Sequence, residues 1–328
     1  ATRRAADRGE LPESIVKNAQ LCVSQLEGSV PERADDLILE LYRNIPDIPI
    51  TDLLLEVDAD VAFTESFTDL RTGVACRDRI GLLTVLLSDG VNLGLRQMGK
   101  ASTTHSYWEL MRIARWHVQD DAYNRALATV VEAQAQLPMA QFWGAGLTAS
   151  SDGQYIRAGG PGEAMNLVNR KYGTEPGLKA YTHVSDQYAP FATKAIPATA
   201  FEVPYILDGL VSNDAGRRVR EHYADTGGFT DHVFAMCSIL GYRFAPRIRD
   251  LPAKRLYAFA PDQVHRTLRP LIAAKVNDKL IRRNWMDVLR LSASTAAGVV
   301  RPSTALRKLA SYPRQNELAM ALREIGRV

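Results

Sequence analysis

The sequence predicts an α/β core preceded by an all-helical region. Apolar residues recur at helical spacing through roughly the first 140 positions. From Trp143 onward, short alternating runs are cut by glycine, proline and aspartate turns. Two of those runs end in an aspartate followed at once by a glycine-containing turn. The resulting order is helices, then strand–strand–strand–helix–strand–helix, then helices, and a mixed sheet flanked by helices is an α/β arrangement. The 328 residues, 46% hydrophobic and 23% charged, exclude a disordered, collagenous or disulfide-stapled chain. Their length predicts two domains, which the pattern places at 1–140 and 141–328.

Element by element, Leu37-Ile38-Leu39-Leu41-Tyr42, Ile80-Leu82-Leu83-Val85-Leu86-Leu87 and Tyr107-Trp108-Leu110-Met111-Ile113-Ala114-Trp116 read as helices. Ser106 with Glu109 forms a capping box for the third, and Trp108 and Trp116 read as core aromatics. Tyr123–Leu137 is a further helix stopped by Pro138. Gly144–Ser150 is a strand ending at Ser151-Asp152-Gly153, and Gln154–Ala158 a second strand after a tight Asp-Gly turn. Lys179–Val184 and Thr193–Ala200 are strands. Phe201–Val211 is a helix with Pro204 in its first turn. Arg218–Ala224 is a strand ending at Asp225, and Thr230 caps a helix to Leu240. Tyr242–Ile248 and Leu256–Phe259 are short strands. Everything after Pro261 reads as helical, over 262–273, 275–297, 303–311 and 315–326, with Ser303 a cap and Pro302 and Pro313 breakers.

The net charge of +3 hides a split. Gly241–Val328 holds 18 Lys and Arg against 6 Asp and Glu, and residues 1–240 hold 22 against 31. The last quarter is therefore a candidate polyanion-binding surface, with Arg243, Arg247, Arg249, Lys254, Arg255, Arg282 and Arg283 as its contacts. The alternative is a set of solvated helix faces. Glu27–Asp69 carries 12 carboxylates and two arginines and is a solvated surface or a contact for a basic segment. No apolar run approaches the ~18 residues of a membrane helix, and no charged-then-apolar leader opens the chain. The start at Ala1 and the stop at Val328 inside a helical pattern lead us to expect a piece of a longer protein.

Asp152 and Asp225 are the candidate chemical pair. Carboxylates at the ends of adjacent strands in an α/β sheet can converge on one metal, and hard oxygen donors suit Mg²⁺ or Mn²⁺. Two such ions activate an attacking oxygen and stabilise a leaving one in phosphodiester chemistry. The competing reading is that Asp-Gly is turn chemistry alone. His183, His222 and His232 lie nearby, and His222-x-x-Asp225 or Asp231-His232 could form a metal or base pair. Cys22, Cys76 and Cys237 are too scattered for a zinc cluster, and Cys237 reads as a core thiol. Gly159-Gly160-Pro161-Gly162 lacks the Gly-Lys-Ser/Thr ending of a phosphate-binding loop. Ser150 and Ser151 lack a nucleophile-elbow context.

Several longer segments carry a resemblance. They are Ser150-Ser151-Asp152-Gly153-Gln154, Asn169-Arg170-Lys171-Tyr172-Gly173 and Tyr181-Thr182-His183-Val184-Ser185-Asp186-Gln187-Tyr188. Glu221 through Phe234, Gly241 through Asp250, Pro313 through Leu318 and Ala321 through Arg327 continue the series. In this order they resemble the catalytic region of the Tn-three family of replicative (class II) bacterial transposases, strongly over 140–328 and more weakly before. The resemblance implies an RNase H-like core with an Asp-Asp-Glu triad, in which Asp152 matches the first aspartate and Asp225 the second. The family glutamate lies in an Asn-Lys-Gly-Glu motif beyond Leu322-Arg323-Glu324-Ile325-Gly326-Arg327, and no residue of this chain matches it. Glu317 and Glu324, seven apart on one helix face, are the available substitutes. The implied activity is Mg²⁺- or Mn²⁺-dependent cleavage and strand transfer at transposon inverted-repeat ends. The chain alone is expected to be inactive for want of the third carboxylate. The implied partners are DNA and a second copy, in the bacterial cytoplasm with the nucleoid. A non-catalytic DNA-binding remnant and an unrelated metal-dependent nuclease are the competing classes.

Overall fold

The computed structural model describes residues 14–17, 20–23, 28–159, 167–212, 214–225, 229–266, 268–311 and 316–328. Its strands and helices divide into two compact units, Gly28–Leu137 and the remainder of the chain. The mixture of helices with a mixed sheet is the α/β arrangement expected.

The chain opens on two short strands, β1 (Ser14–Lys17) and β2 (Gln20–Val23), paired antiparallel. The expectation of an all-helical region over 1–140 is corrected here, because a four-residue run is too short to show an α-helical period and these two close on each other instead.

The Gly28–Leu137 unit follows with α1 (Ala34–Asn44), α2 (Ile50–Val61), α3 (Arg79–Gly90), α4 (Leu95–Ala101), α5 (Tyr107–His117) and α6 (Asp120–Ala135). Its core gathers Phe63, Phe67, Leu82, Val85, Met98, Leu110, Ile113 and Ala126. Buried Asp58 accepts the backbone N–H and the hydroxyl of Thr64 at 2.8 and 2.9 Å and pairs with Arg79. Asp78 caps α3 by accepting Gly81 N–H at 2.9 Å. The Ser106–Glu109 capping box of α5 is present. Trp108 and Trp116 are not core aromatics: they are 70% and 40% exposed. The buried positions of α5 are Leu110 and Ile113, and Trp108, two residues before Leu110, lies about 200° around the helix from it.

The remaining unit holds α7 (Pro138–Trp143) and the main sheet. Its strands are β3 (Thr148–Arg157), β4 (Leu167–Val168), β5 (Pro176–Ser185), β6 (Pro190–Pro197), β7 (Glu221–Ala224) and β8 (Arg243–Pro246). β3 is central, antiparallel to β5 and parallel to β7. β6 and the two-residue β4 pair antiparallel with β5, and β8 pairs parallel with β7. Parallel neighbours need crossovers. α8 (Ile206–Val211) and α9 (Asp214–Arg218) lead from β6 to β7, and α10 (Asp231–Ile239) leads from β7 to β8. Thr230 caps α10 as expected, accepting Val233 N–H.

β3 corrects one expectation. The Asp-Gly step is not a turn: a single ten-residue strand runs through Asp152 and Gly153. β5 and β7 occupy both edges of β3, so no hairpin can close there. The glycine serves close approach instead. A Cβ on Gly153 would stand 2.7 Å from the Glu202 carboxyl carbon.

The stretch after Pro261 corrects another. In place of a helix over 262–273 there are 3-10 turns at Pro261–Gln263 and Arg269–Leu271. They are followed by a strand β10 (Ile272–Lys275) parallel to β9 (Leu256–Ala258). Pro270 interrupts any helical hydrogen-bond ladder there, so the basic segment 262–328 is helical only in part. The span 275–297 is two helices, α11 (Asp278–Arg283) and α12 (Trp285–Ala296), which meet at Asn284. α13 (Pro302–Ser311) starts on Pro302 itself, where a missing N–H costs nothing. Ser303, expected as a cap, donates its N–H and hydroxyl to buried Asp208 at 2.8 and 2.7 Å. Lys194 completes that node at 2.6 Å. α14 (Glu317–Gly326) packs on α10. Pro313, expected as a breaker, lies outside the described residues, as do Gly160, Pro161 and Gly162.

Candidate metal centre

Strand alternation sorts the residues of β3 onto two faces. Ala149 and Ser151 are buried, while Ser150, Asp152 and Gln154 are exposed. β7 pairs Ser150 with Tyr223 and Ser151 with Ala224. Asp152 follows Ser151 and Asp225 follows Ala224, each one residue past the last pair of that ladder. The two carboxylates singled out in the sequence thus stand on or just beyond adjacent strands of the sheet. Both are exposed, and Asp152 Oδ1 accepts the N–H of Gly153 at 2.8 Å. Their oxygens are hard donors of the kind Mg²⁺ and Mn²⁺ take, so the pair fits part of a divalent-cation site. Among the described residues no group of three or more His, Cys, Asp or Glu side chains gathers as a metal-binding cluster.

Glu317 and Glu324 do not complete the pair. Glu324 is buried, accepting Asn277 N–H at 3.0 Å and Arg327 at 2.8 Å. Glu317 pairs with Arg283. Both tie α14 to the chain around α11.

The histidines are structural. His222 is fully buried on the face opposite Asp225, so His222-x-x-Asp225 is not a ligand pair. His183 donates through Nε2 to Ile206 O at 2.9 Å and lies against Gly209 of α8. His232 donates to Ala319 O at 2.9 Å, and Asp231 meets Arg327 at 3.3 Å, which leaves Asp231-His232 holding α14 rather than a metal. Burial is the first cause lowering all three imidazoles, His183 to about 4 and His222 to about 3. Cys237 is a core thiol, fully buried and pushed up to about 12 by desolvation.

On the buried face of the same strands lies a set of side chains that no sequence motif marks. β5 directs Lys179, Tyr181 and His183 inward. Lys179 pairs with Glu202 at 2.6 Å and donates to Ala200 O at 3.0 Å. Tyr181 shares a 2.7 Å hydrogen bond with Ser151, which shares another of 2.8 Å with His222. Burial raises the Tyr181 phenol first; the charges of Glu202, Asp152 and Asp225 raise it further, against the Ser151 hydrogen bond. The alternation over Lys179–Val184 was the available signal, because it places a lysine on the same side as a tyrosine and a histidine.

The basic candidates divide. Arg243 pairs with Glu221 at 2.8 Å, Arg282 faces Asp278 at 3.8 Å, and Arg283 pairs with Glu317. Lys254 lies 5.3 Å over the Phe229 ring. Arg255 donates to Pro252 O and Lys254 O at 3.0 Å. Arg247 and Arg249 are exposed just beyond β8, and the Arg247 N–H donates to Ala224 O at 2.8 Å, beside Asp225. No helix among the described residues is long and apolar enough to cross a membrane.

The family model for the Tn3 transposase DDE domain matches residues 52–328. The chain is 48% identical to the transposase for transposon Tn501 of Pseudomonas aeruginosa, over 99% of its own length and 33% of that protein. It is 44% identical to the transposases for transposons Tn3926 and Tn21 of Escherichia coli, over 99% of its length and 33% of each. The chain thus spans about a third of the length of the curated relatives it matches. A family match across most of the chain, with the paired aspartates inside it, shows that the chain belongs to the Tn3 transposase DDE domain family.

Proposed function

We propose that this chain is the part of a transposase in which Asp152 and Asp225 hold divalent metal for DNA cleavage and strand transfer at transposon ends. The observation that carries the reading is that both are exposed and each directly follows the last pair of the parallel β3–β7 ladder. A pair of Mg²⁺ or Mn²⁺ ions, when bound, supplies charge neutralisation at the phosphodiester and an activated oxygen nucleophile. The chain's own contribution is to orient two carboxylates from a rigid sheet. Arg247 and Arg249, beyond β8, meet the phosphate backbone and set position rather than sequence. The order β6-β5-β3-β7-β8, three antiparallel strands followed by two parallel ones, supports an RNase H-like core. A second copy and inverted-repeat DNA are the partners we infer, and the nucleoid of the bacterial cytoplasm the location.

The excess of Lys and Arg after Gly241 also fits a second reading, a non-catalytic DNA-binding remnant. Strand transfer with Mg²⁺ on inverted-repeat DNA tests both. We expect none from the 328-residue chain, and Asp152→Ala abolishes transfer by a longer transposase carrying this region. Transfer by the chain itself, lost in Asp152→Ala, overturns the inactivity. Transfer by the longer protein that survives Asp152→Ala overturns the site.

A further inference from the structure

We propose that Ser151, Tyr181 and His222 are positioning residues for the divalent-metal site, fixing β3 against β7 so that Asp152 and Asp225 keep one spacing. The inference rests on the metal reading of those two aspartates. Ser151 immediately precedes Asp152 and points to the opposite, buried face. Its hydroxyl lies between Tyr181 of β5, at 2.7 Å, and Nε2 of His222 of β7, at 2.8 Å. One hydroxyl therefore joins the side chains of three adjacent strands directly behind the acidic pair. His222 stands three residues before Asp225, and Tyr181 is in register with Gly153, the residue after Asp152.

Apolar side chains would fill the same volume without the desolvation cost of buried polar groups. What the polar set adds is direction, since hydrogen bonds hold an angle as well as a distance. The set is also uncharged near neutral pH. Burial holds the His222 imidazole low and the Tyr181 phenol high, so it brings neither a cation to compete with metal nor an anion to bind it. Its influence on the carboxylates is geometric. The other side of Asp152 is held as well, because Gly153 lies under the Glu202 carboxyl, which the buried Lys179 ammonium pins at 2.6 Å.

Groups behind metal ligands commonly change affinity by about 10- to 100-fold when removed. The test is Mn²⁺ titration of the 328-residue chain by electron paramagnetic resonance, with thermal unfolding followed in parallel. Ser151→Ala, Tyr181→Phe and His222→Leu weaken Mn²⁺ binding about tenfold. His222→Gln, whose amide reaches the Nε2 position, recovers most of it. Cys237→Ala, a core change away from the network, lowers the unfolding temperature without changing Mn²⁺ affinity. Tyr181→Phe keeps the ring and the packing, so it remains informative where Ser151→Ala unfolds. Unchanged Mn²⁺ affinity in Tyr181→Phe and His222→Leu, beside binding lost in Asp152→Asn and Asp225→Asn, overturns the positioning role and leaves the metal site standing. Binding that survives both aspartate changes, or no saturable binding by the unsubstituted chain, overturns the metal reading itself.

Discussion

The two faces of the β5–β3–β7 sheet use the same strands for opposite ends. The buried face carries Lys179, Tyr181, His183, Ser151 and His222, and each has a hydrogen-bond or ion-pair partner. The exposed face carries Ser150, Asp152, Tyr223 and Asp225. The contrast teaches that acidity alone does not mark a functional position. Asp208 and Glu324 are carboxylates too, but they are buried and committed to backbone and cations. Asp152 and Asp225 stand exposed at the surface.

The largest expected effect is on the buried side. Asp208→Ala leaves the buried N–H and hydroxyl of Ser303 and the Lys194 ammonium without their acceptor and costs about 3 kcal/mol of stability, measured by urea unfolding. A loss below about 0.5 kcal/mol, the range of surface changes, would erase the distinction between buried and exposed carboxylates.

Gly153→Ala comes next. The new Cβ meets the Glu202 carboxyl, whose retreat strains the buried pair with Lys179, and overpacking of this kind costs about 1–3 kcal/mol. A neutral result would mean that the Asp-Gly step tolerates a side chain and that close approach does not explain the glycine.

The histidines give a pH signature. Unfolded imidazoles titrate near 6.5, whereas folded His183 and His222 sit at about 4 and about 3. The unfolded chain thus binds more protons in between, so their contribution to stability is fully present above about pH 6.5 and is lost as pH falls toward the folded values. Thermal unfolding from pH 7 to pH 4 should decline less steeply in His222→Gln than in the unsubstituted chain. Equal slopes would place His222 in contact with solvent.

The smallest effect belongs to the exposed face. Asp152→Asn and Asp225→Asn each change stability by less than about 0.5 kcal/mol without metal. A large loss would make these acids structural and collapse the contrast between the faces.

Much of this was legible in sequence. Thr230 and the Ser106–Glu109 box announced their helices because capping is local chemistry. The alternation of Lys179–Val184 announced β5 because its partners lie on both edges. Asp-Gly is a local hairpin signal, whereas the occupants of both edges of β3 come from 30 and 71 residues away. The ring of Trp108 fits a helical pattern whose buried arc is set by Leu110 and Ile113, so spacing alone does not place it outside. The strand β10 leaves little trace in the sequence, because its partner β9 is a three-residue run. The network around Ser151 could not be read from spacing, since it joins residues from three strands through side chains alone.

The most direct test of the central claim is a double-substitution cycle on Mn²⁺ binding by the chain, using Asp152→Asn, Asp225→Asn and the pair. If both aspartates grip the same metal, either single change removes nearly all the binding and the double change adds little, as expected for groups acting as one unit. Losses that simply add, or binding unchanged in either single variant, would contradict a shared site.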